Sequence, residues 1–363
     1  MLIAVRRYRL LLLFLLLGVC FSGCTKFQLG SKARQINPLE KPAINITNFS
    51  DSLACMDHML LKMPVPAVTI TAQDIENHTA EQVPLAGMKD MLIAALGRMS
   101  ERSQKIHFVA YGTDIRDILL LHKAHDQREA FQVPNFFVRG GVTSYDRNVL
   151  VNRFGGGLSH DDWNGAFSSG QGITYIGLDL HVGLVRDLRI LSRVSSGNVL
   201  ALIDRGFGTE LGGRIESVGT VFDFGVDRRD GVGQSIRNLV DLAAIEVVGK
   251  LMDLPYMSCL PLNYDDPEVL ASLEKEYFRL RSQPAHLVKV LQFRLKEMGY
   301  YAGEINGEVD RPTQLALSYT HNLLELPERT PLISFQLYQR LFYNKAFEWP
   351  YTFMKGYSDF EPI

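Results

Sequence analysis

Cys24 is the residue whose surroundings point most directly to a chemical modification. It follows a segment with three arginines, an apolar run from Leu10 to Val19 that is too short to span a bilayer, and the small residues Ser22 and Gly23. This order is typical of a secretory signal whose cleavage leaves the cysteine as the acylated first residue. The sequence therefore predicts removal of residues 1–23 and lipid attachment at Cys24; an uncleaved anchor helix is the alternative.

The residues after Cys24 bear on the membrane to which the lipid would attach. The signal resembles those of bacterial lipoproteins, in which an aspartate directly after the cysteine tends to retain the protein at the inner membrane. Thr25 and Lys26 occupy these positions here. The resemblance therefore implies a protein that is lipid-anchored in the outer membrane and faces the periplasm.

Two further cysteines, Cys55 and Cys259, would remain with Cys24 in the mature chain. In an oxidising periplasm two such residues are a candidate disulfide. Two separately buried thiols are the alternative, because the sequence alone does not show whether the residues lie close together.

The remaining chemical candidates are weak. His122 and His125 are three residues apart on a predicted helix, but the charged residues beside them favour a solvated face over a metal site. Residues 160–162, His-Asp-Asp, lie in a Gly- and Ser-rich stretch that is typical of a hairpin tip. The glycines at 206–213 lack the helix and lysine of a phosphate-binding loop, and we interpret them as turns. We therefore expect a non-enzymatic protein with no cofactor and no bound metal.

The charge balance argues against nucleic acid as a partner. Removing residues 1–23 takes away three of the 38 basic residues and none of the 40 acidic ones, which leaves 35 against 40. A chain of 363 residues with 46% hydrophobic residues can bury a sizeable core, and we expect two domains.

The first third of the chain has the pattern of an α/β fold. Residues 24–50 mix Gly, Ser, Pro and charges without a period and indicate a lipidated tether. Val68 to Thr71 alternate like a strand, and apolar residues from Leu85 to Met99 fall on one helical face. Ile106 to Ala110 predict a second strand, and Asp114 is a possible N-cap of the next helix.

The middle of the chain predicts long strands. Between Gly140 and Gly233 lie 19 of the 30 glycines and no proline, and proline is excluded from central strands while glycine collects at hairpin tips and crowded positions. Residues 174–184 and 218–226 alternate between an apolar and a polar face. Alternation alone favours a soluble sheet over a membrane barrel. An amphipathic helix follows from Ile236 to Leu251.

The order of these elements resembles the curli secretion channel (CsgG-like) family of outer-membrane lipoproteins over about Pro66 to Met252. The residues that carry the resemblance are Val138-Arg-Gly-Gly-Val-Thr-Ser-Tyr-Asp-Arg-Asn148, Tyr175-Ile-Gly-Leu-Asp-Leu-His-Val182 and Ile190-Leu-Ser-Arg-Val194. In that family an α/β periplasmic domain forms a ring, and each protomer contributes two long hairpins to one shared transmembrane barrel. The resemblance implies an α+β domain at 51–280 in a homo-oligomeric ring.

The same resemblance implies where the hairpins lie. They would span about 137–182 and 194–226, with tips at 155–172 and 205–213. The alternating residues of the last strand would then face membrane lipid: Val218, Phe222, Phe224 and Val226. The family narrows its channel with aromatic residues in the loop after the first strand, but residues 76–86 contain no aromatic residue.

The C-terminal part, 285–343, resembles a small helical peptidoglycan-binding domain, and 344–363 would be a tail. The residues that carry the resemblance are Leu291, Gln292, Leu295, Gly299, Tyr300, Tyr301, Gly303, Ile305, Asn306, Gly307, Thr313 and Ala316. Asn306 stands where that family usually has aspartate, and Asp310 where it has glycine. The pattern implies that Tyr300, Tyr301 and Asn306 contact peptidoglycan. A module that binds only protein is the alternative.

Two functions follow from these expectations. The chain would be a ring-forming scaffold or pore component of a secretion or motility machine, with other subunits of that machine as further partners. Alternatively, it would be a curli-type channel that exports a polypeptide or adhesin. The wall-binding appendage and the loop without aromatic residues favour the scaffold, and the hairpins favour the channel. A wall-acting enzyme is the third alternative.

Overall fold

The computed structural model describes residues 47–80, 87–112, 115–124, 132–149, 172–204, 210–217, 220–227 and 231–343. The strands in these ranges are β1 (Val68–Ala72), β2 (Glu76–Asn77), β3 (Ile106–Phe108), β4 (Phe136–Val149), β5 (Gly172–Leu184), β6 (Ile190–Asp204), β7 (Glu210–Ser217) and β8 (Thr220–Asp227). The helices are α1 (Ser50–Lys62), α2 (Met88–Arg98), α3 (Arg116–Ala124), α4 (Gly231–Leu251), α5 (Pro267–Arg281), α6 (Pro284–Glu297), α7 (Arg311–Leu323) and α8 (Phe335–Tyr343), with a 3₁₀ helix at Tyr256–Cys259.

The described strands lie in one mixed sheet with the order β3-β1-β4-β5-β6-β7-β8, and β2 pairs with β4. β1 is parallel to both of its neighbours, β3 and β4. Ile70 of β1 pairs with Phe108 of β3 on one side and with Phe136 of β4 on the other. Parallel neighbours need crossover connections, which here contain α2 and α3. The structure confirms the mixed α and β composition that the sequence predicts.

From β4 onward the sheet is an antiparallel meander. β4 and β5 form the first predicted hairpin. The second predicted hairpin is corrected, because its return arm is two strands: β7 ends at Ser217 and β8 begins at its partner Thr220. Two intervening residues are a spacing typical of a tight hairpin. Its predicted tip is also shorter than 205–213, because Gly212 and Gly213 pair with β6 within β7.

Two glycines of β4, Gly140 and Gly141, allow close packing against the neighbouring strands β5 and β2. A Cβ atom on Gly140 would lie 1.9 Å from the Asp179 carbonyl oxygen of β5, and one on Gly141 would lie 2.4 Å from the Glu76 carbonyl oxygen of β2. A larger residue would force these strands apart. Crowded strand positions therefore account for part of the glycine content in this region.

The core centres on α4. β8 ends at Asp227 and α4 begins at Gly231, so the chain returns to the sheet after three residues. α4 contacts β5, β6, β7 and β8, and α1, α2 and the 3₁₀ helix contact it as well. Residues 235 and 236 and 238–249 of this helix are therefore all buried. The same arrangement buries alternate residues of β5, such as Leu178 and Leu180.

The C-terminal helices pack on the rest of the chain. His58 Nε2 on α1 lies 2.7 Å from Glu297 Oε2 on α6, and the Tyr338 hydroxyl on α8 donates to Glu276 Oε1 on α5 at 2.7 Å. Residues 47–343 belong to one compact unit. The first expected domain, 51–280, ends within α5, and the second, 285–343, begins within α6.

Among the described residues, no helix combines the length and the apolar character that crossing a membrane requires. The signal segment with Cys24, the tether up to residue 46, residues 155–171 and 205–209 of the two predicted hairpin tips, and the tail 344–363 lie outside the described residues.

Candidate functional site

The connection between α6 and α7 carries the residues expected to contact the cell wall, and Gln292 on α6 organises it. This side chain is fully buried. Its Oε1 accepts a hydrogen bond from Gly307 N at 2.8 Å, and its Nε2 lies 2.9 Å from Asn306 Oδ1. Thr313 Oγ1, in the first turn of α7, lies 2.9 Å from the same nitrogen. One buried amide group therefore holds the connection to both helices.

Tyr301 does not form the outward contact that we expected, whereas Asn306 is exposed and its side-chain oxygen is bonded within the loop. Tyr301 is 4% exposed, and its hydroxyl donates to the Glu304 carbonyl oxygen at 2.8 Å. Asn306 Oδ1 accepts from Gln292 and also from Glu308 N at 2.9 Å. The physical reason is that irregular backbone must find side-chain partners for its polar groups, so both residues close the loop.

Gly307 is required by the same geometry. It has a φ angle of +84°, which L side chains rarely adopt, and a Cβ atom there would lie 2.6 Å from the Ala285 carbonyl oxygen. The Asn-Gly pair in the sequence pattern is therefore explained by backbone conformation and by close packing on α6.

Asp310 also has a structural role. It is the N-cap of α7, and its side chain accepts a hydrogen bond from Thr313 N at 2.9 Å. Hydrogen bonding by Thr313 lowers the pKa of this half-buried carboxyl group. The departure from glycine at this position therefore fits the start of the helix.

An exposed aromatic groove lies beside this connection. We call it the tyrosine groove, and its defining residues are Tyr300, Pro312, Leu315 and Tyr319. The ring centroids of Tyr300 and Tyr319 are 5.3 Å apart, and the cavity between these residues has a volume of about 470 Å³. Leu315 and Tyr319 are 63% and 56% exposed. Of the three residues that we expected at the contact surface, Tyr300 and the buried Tyr301 both line this groove, and Asn306 is not among its lining residues.

Sequence reasoning missed Leu315 and Tyr319. They lie four residues apart and therefore on one face of α7, next to the buried Ala316 and Thr320. The sequence did contain a signal for them, because two apolar residues at this spacing lie outside the face of the helix that is buried.

The groove suits a ligand that has a flat apolar face with polar groups around it. Tyrosine rings offer an apolar surface that ends in a hydroxyl group, and Pro312 and Leu315 extend that surface. Such a combination of apolar lining and few polar groups is typical of small-ligand sites. A sugar ring with attached polar substituents has this shape.

Phe222 lies in the core and does not face outward, which corrects the expectation of lipid contact at this residue. It is 6% exposed, and its ring centroid lies 5.2 Å from that of Phe49. The reason is that α4 begins four residues after β8 ends and returns against the sheet. Phe224 and Val226 lie in β8 opposite Gly213 and Leu211, respectively.

Val218, the fourth residue that we expected to face lipid, lies outside the described residues.

The structure contains the predicted disulfide. Cys55 on α1 and Cys259 in the 3₁₀ helix are joined, with Cα atoms 5.6 Å apart. The bridge links positions 204 residues apart in the sequence. It therefore fixes the first helix after the tether to the segment that precedes α5.

Two buried carboxyl groups connect elements of the fold. Asp241 on α4 accepts hydrogen bonds from Arg98 at 2.8 Å and from Thr47 Oγ1 at 2.6 Å, and burial raises its pKa. Glu276 on α5 accepts from the hydroxyl groups of Tyr338 and Tyr343, and burial raises its pKa as well. Both groups have partners from distant segments, which indicates a structural role.

A second cavity, of about 340 Å³, lies near the carboxyl end of β1. Its lining includes Asp74, Glu76, His78, Lys89 and Arg139. Ligands of open α/β sheets bind at this end of the strands. Lys89 Nζ lies 3.4 Å from Asp74 Oδ1, so the charges are mixed and partly paired, and they do not indicate one class of ligand.

The metal candidates form no cluster in the part of the chain that the structure describes, where no three His, Cys, Asp or Glu residues could together hold an ion. His122 lies on α3, and His125 and residues 160–162 lie outside the described residues.

Comparisons with known proteins found no matching protein-family model and no matching curated protein. Among solved structures, a PelC dodecamer from Paraburkholderia phytofirmans is 11% identical, covers 53% of this chain and 94% of that chain, and has a TM-score of 0.25. The hypothetical protein CT253 from Chlamydia trachomatis is 8% identical, covers 51% of this chain and 96% of that chain, and also has a TM-score of 0.25. These comparisons assign no family to the chain.

Proposed function

We propose that the protein is a non-enzymatic lipoprotein, anchored through Cys24 in the outer membrane, that forms a homo-oligomeric ring and holds this ring on peptidoglycan. It acts as a scaffold of a larger secretion or motility machine. The observation that carries this proposal is the tyrosine groove, an exposed aromatic surface on the C-terminal helices whose shape suits a sugar-peptide ligand.

The packing of the C-terminal helices supports a scaffold. A wall-binding module on a flexible linker would not fix the depth of a ring. Here the contacts His58 to Glu297 and Tyr338 to Glu276 tie α6 and α8 to the rest of the chain. The groove therefore has a defined position relative to the sheet.

The channel is the second candidate, and the first hairpin favours it. β4 and β5 contain 14 and 13 residues, which exceeds the 9 to 11 or so that a transmembrane strand needs. The strands β6 to β8, which replace the second predicted hairpin, favour the scaffold, because α4 packs along them and Phe222 of β8 is buried.

Sedimentation with purified sacculi tests the wall contact. The lipidated full-length protein in detergent is compared with the double variant Leu315→Ser, Tyr319→Ser and with the control Leu332→Ser, which changes a leucine that is 40% exposed and does not line the groove. We expect binding by the double variant to be weaker by about tenfold or more, the effect of losing about 1.4 kcal/mol of apolar contact.

Point variants are preferable to truncation after Arg281, because removal of α8 would leave the buried Glu276 without two of its partners. Many weak contacts in one ring add avidity, so ring and monomer fractions are assayed separately. Equal sedimentation of all three proteins would show that the groove does not bind the wall, and would favour a protein partner for it.

A further inference from the structure

The lining of the tyrosine groove carries no charge. Besides the four residues that define the groove, the described residues around its cavity are Tyr301, Ala302, Gly303 and Ala316, and all of them are uncharged. A charged group that enters such a site loses its hydration without gaining a counter-charge, which is unfavourable. The groove therefore favours an uncharged ligand.

Two cations lie next to the groove residues, but neither lines the cavity. Lys296 is exposed, and its Nζ donates a hydrogen bond to the Gly303 carbonyl oxygen at 2.8 Å, so it holds the loop. Arg311 precedes Pro312 in the chain and is also exposed. A carboxylate in the groove would therefore find no cation among the described residues that line it.

Uncharged hydrogen-bonding groups are available at the groove. Within the described part of the chain, the hydroxyl groups of Tyr300 and Tyr319 have no hydrogen-bond partner. The backbone N–H groups of Ala302 and Gly303, two residues that line the cavity, donate to no other described residue. These groups can pair with the amide and hydroxyl groups of a neutral ligand, while the tyrosine rings contact its apolar face.

The apolar surface continues beyond the groove along α7. Leu315, Tyr319 and Leu323 are spaced by four residues and therefore lie on one face of the helix. Leu323 is 44% exposed, although it does not line the cavity itself. At a rise of about 1.5 Å per residue the three side chains extend over about 12 Å. An apolar strip of this length suits a chain of sugar rings better than a single ring.

We infer that the tyrosine groove and its extension to Leu323 bind the glycan strand of the cell wall through its N-acetylglucosamine residues, and not the stem peptide. The inference rests on the proposed wall contact and specifies the class of ligand. An N-acetylglucosamine residue is uncharged and combines an apolar ring face with an acetamido group, which matches the tyrosine rings and the free donors. The stem peptide carries carboxylate and amino groups, for which the cavity offers no counter-charge.

Saturation-transfer NMR on the lipidated full-length protein in detergent tests the class of ligand. The probes are chitotetraose, a neutral N-acetylglucosamine tetramer, and the tripeptide L-Ala-γ-D-Glu-diaminopimelate. We expect transfer to the acetyl methyl groups of chitotetraose and about tenfold less to the tripeptide. The double variant Leu315→Ser, Tyr319→Ser should lose the transfer, and the control Leu332→Ser should keep it. Stronger transfer to the tripeptide than to chitotetraose overturns the inference.

Two single variants test the extension and the absence of charge. Leu323→Ser should weaken the binding of chitotetraose by about fivefold and leave that of chitobiose within about twofold, because only the longer ligand reaches this residue. Equal affinity of wild type and variant for chitotetraose overturns the extension. Arg311→Gln should leave the binding of chitotetraose unchanged, and a loss of binding in this variant would show that a negative charge is recognised.

Competition during sedimentation with sacculi separates this inference from the proposed function. We expect excess chitotetraose to release the monomer fraction of the wild-type protein from sacculi, and excess tripeptide to leave it bound. A protein that is released by the tripeptide alone overturns the glycan as the ligand but leaves the wall contact intact. A protein that binds chitotetraose in solution but does not sediment with sacculi overturns the proposed wall contact and leaves the groove as a sugar-binding site.

Discussion

Replacement of Gln292 by leucine should loosen the loop that supports the tyrosine groove. Leucine is similar in size and fills the buried position, but it has no polar atoms. Oε1 of Gln292 is the acceptor for Gly307 N, and Nε2 is close to the Glu308 carbonyl oxygen at 3.0 Å. The variant therefore removes one acceptor and one donor from a site where water does not readily replace them.

The magnitude follows from the two backbone groups that lose a partner. A buried donor or acceptor that is left unsatisfied costs about 1 to 3 kcal/mol. Gly307 N and the Glu308 carbonyl oxygen together give a loss of about 2 to 6 kcal/mol in the free energy of unfolding, provided that the loop stays closed. If the loop opens instead, the loss is smaller and the amide of Gly307 exchanges with solvent.

Urea unfolding and hydrogen exchange of peptides from the α6–α7 connection measure these two outcomes. The matched control is Gln314→Leu, because the exposed Gln314 also bonds a backbone carbonyl oxygen, that of Val309, at 3.1 Å. This control should stay within about 0.5 kcal/mol of wild type. The reasoning about Gln292 is refuted if its leucine variant matches the control in both stability and exchange.

Three further predictions concern the anchor, the bridge and a buried acid. Mass spectrometry of the mature N-terminus should find lipid on Cys24; an unmodified residue there contradicts the proposed localisation. Cys55 and Cys259 should resist thiol labelling in unreduced, denatured protein, and reduction should lower stability by up to about 5 kcal/mol in the loop-entropy model. Burial raises the pKa of Glu276 above the value of 4.5 that the carboxyl group has in the unfolded chain, so ionisation of this group disfavours the folded state. The contribution of the protonated Glu276 to stability is therefore lost as the pH rises from 4.5 through the raised pKa. Glu276→Gln should therefore gain stability relative to wild type at pH 8 but not at pH 4, and an equal difference at both values argues against this assignment.

Periodicity in the sequence predicted the helices and strands that bury one apolar face in the core. Apolar residues from Leu85 to Met99 indicated a helix, and α2 spans Met88–Arg98. The alternation at 174–184 gave β5, whose even-numbered residues from Ile176 to Val182 are buried. These features are local, and the side-chain period alone decides them.

Phe222 shows why the nature of the covering surface could not be predicted. Alternation identifies a face that avoids water, but lipid and a helix bury an apolar residue equally well. Here the return of the chain from β8 into α4 decides between them, and the three intervening residues contain no signal for that direction. The partner Phe49 lies 173 positions earlier, beyond the reach of any local pattern.

The candidate site shows the converse case. The pattern around Tyr301 and Asn306 was recognisable because the closed loop constrains both residue types. The strong sequence signal therefore came from residues that hold the loop beside the groove. The residues that form the accessible surface, Leu315 and Tyr319, occupy exposed helix positions where packing accepts many residue types. Sequence reasoning therefore identified the framework of the groove and missed most of its contact surface.

The helix α1 links the lipid end of the proposed scaffold to its wall-binding end. It follows the tether directly, and two of its residues one turn apart, Cys55 and His58, contact the C-terminal half of the chain. The hydrogen bond from His58 lowers the pKa of Glu297, so this contact favours the folded state above the unfolded pKa of the carboxyl group and weakens as pH falls through the lowered value. Because Glu297 ends α6 and Gln292 on the same helix holds the loop of the groove, α1 is connected to the tyrosine groove through the His58–Glu297 contact and α6, while the disulfide fixes α1 to the 3₁₀ helix.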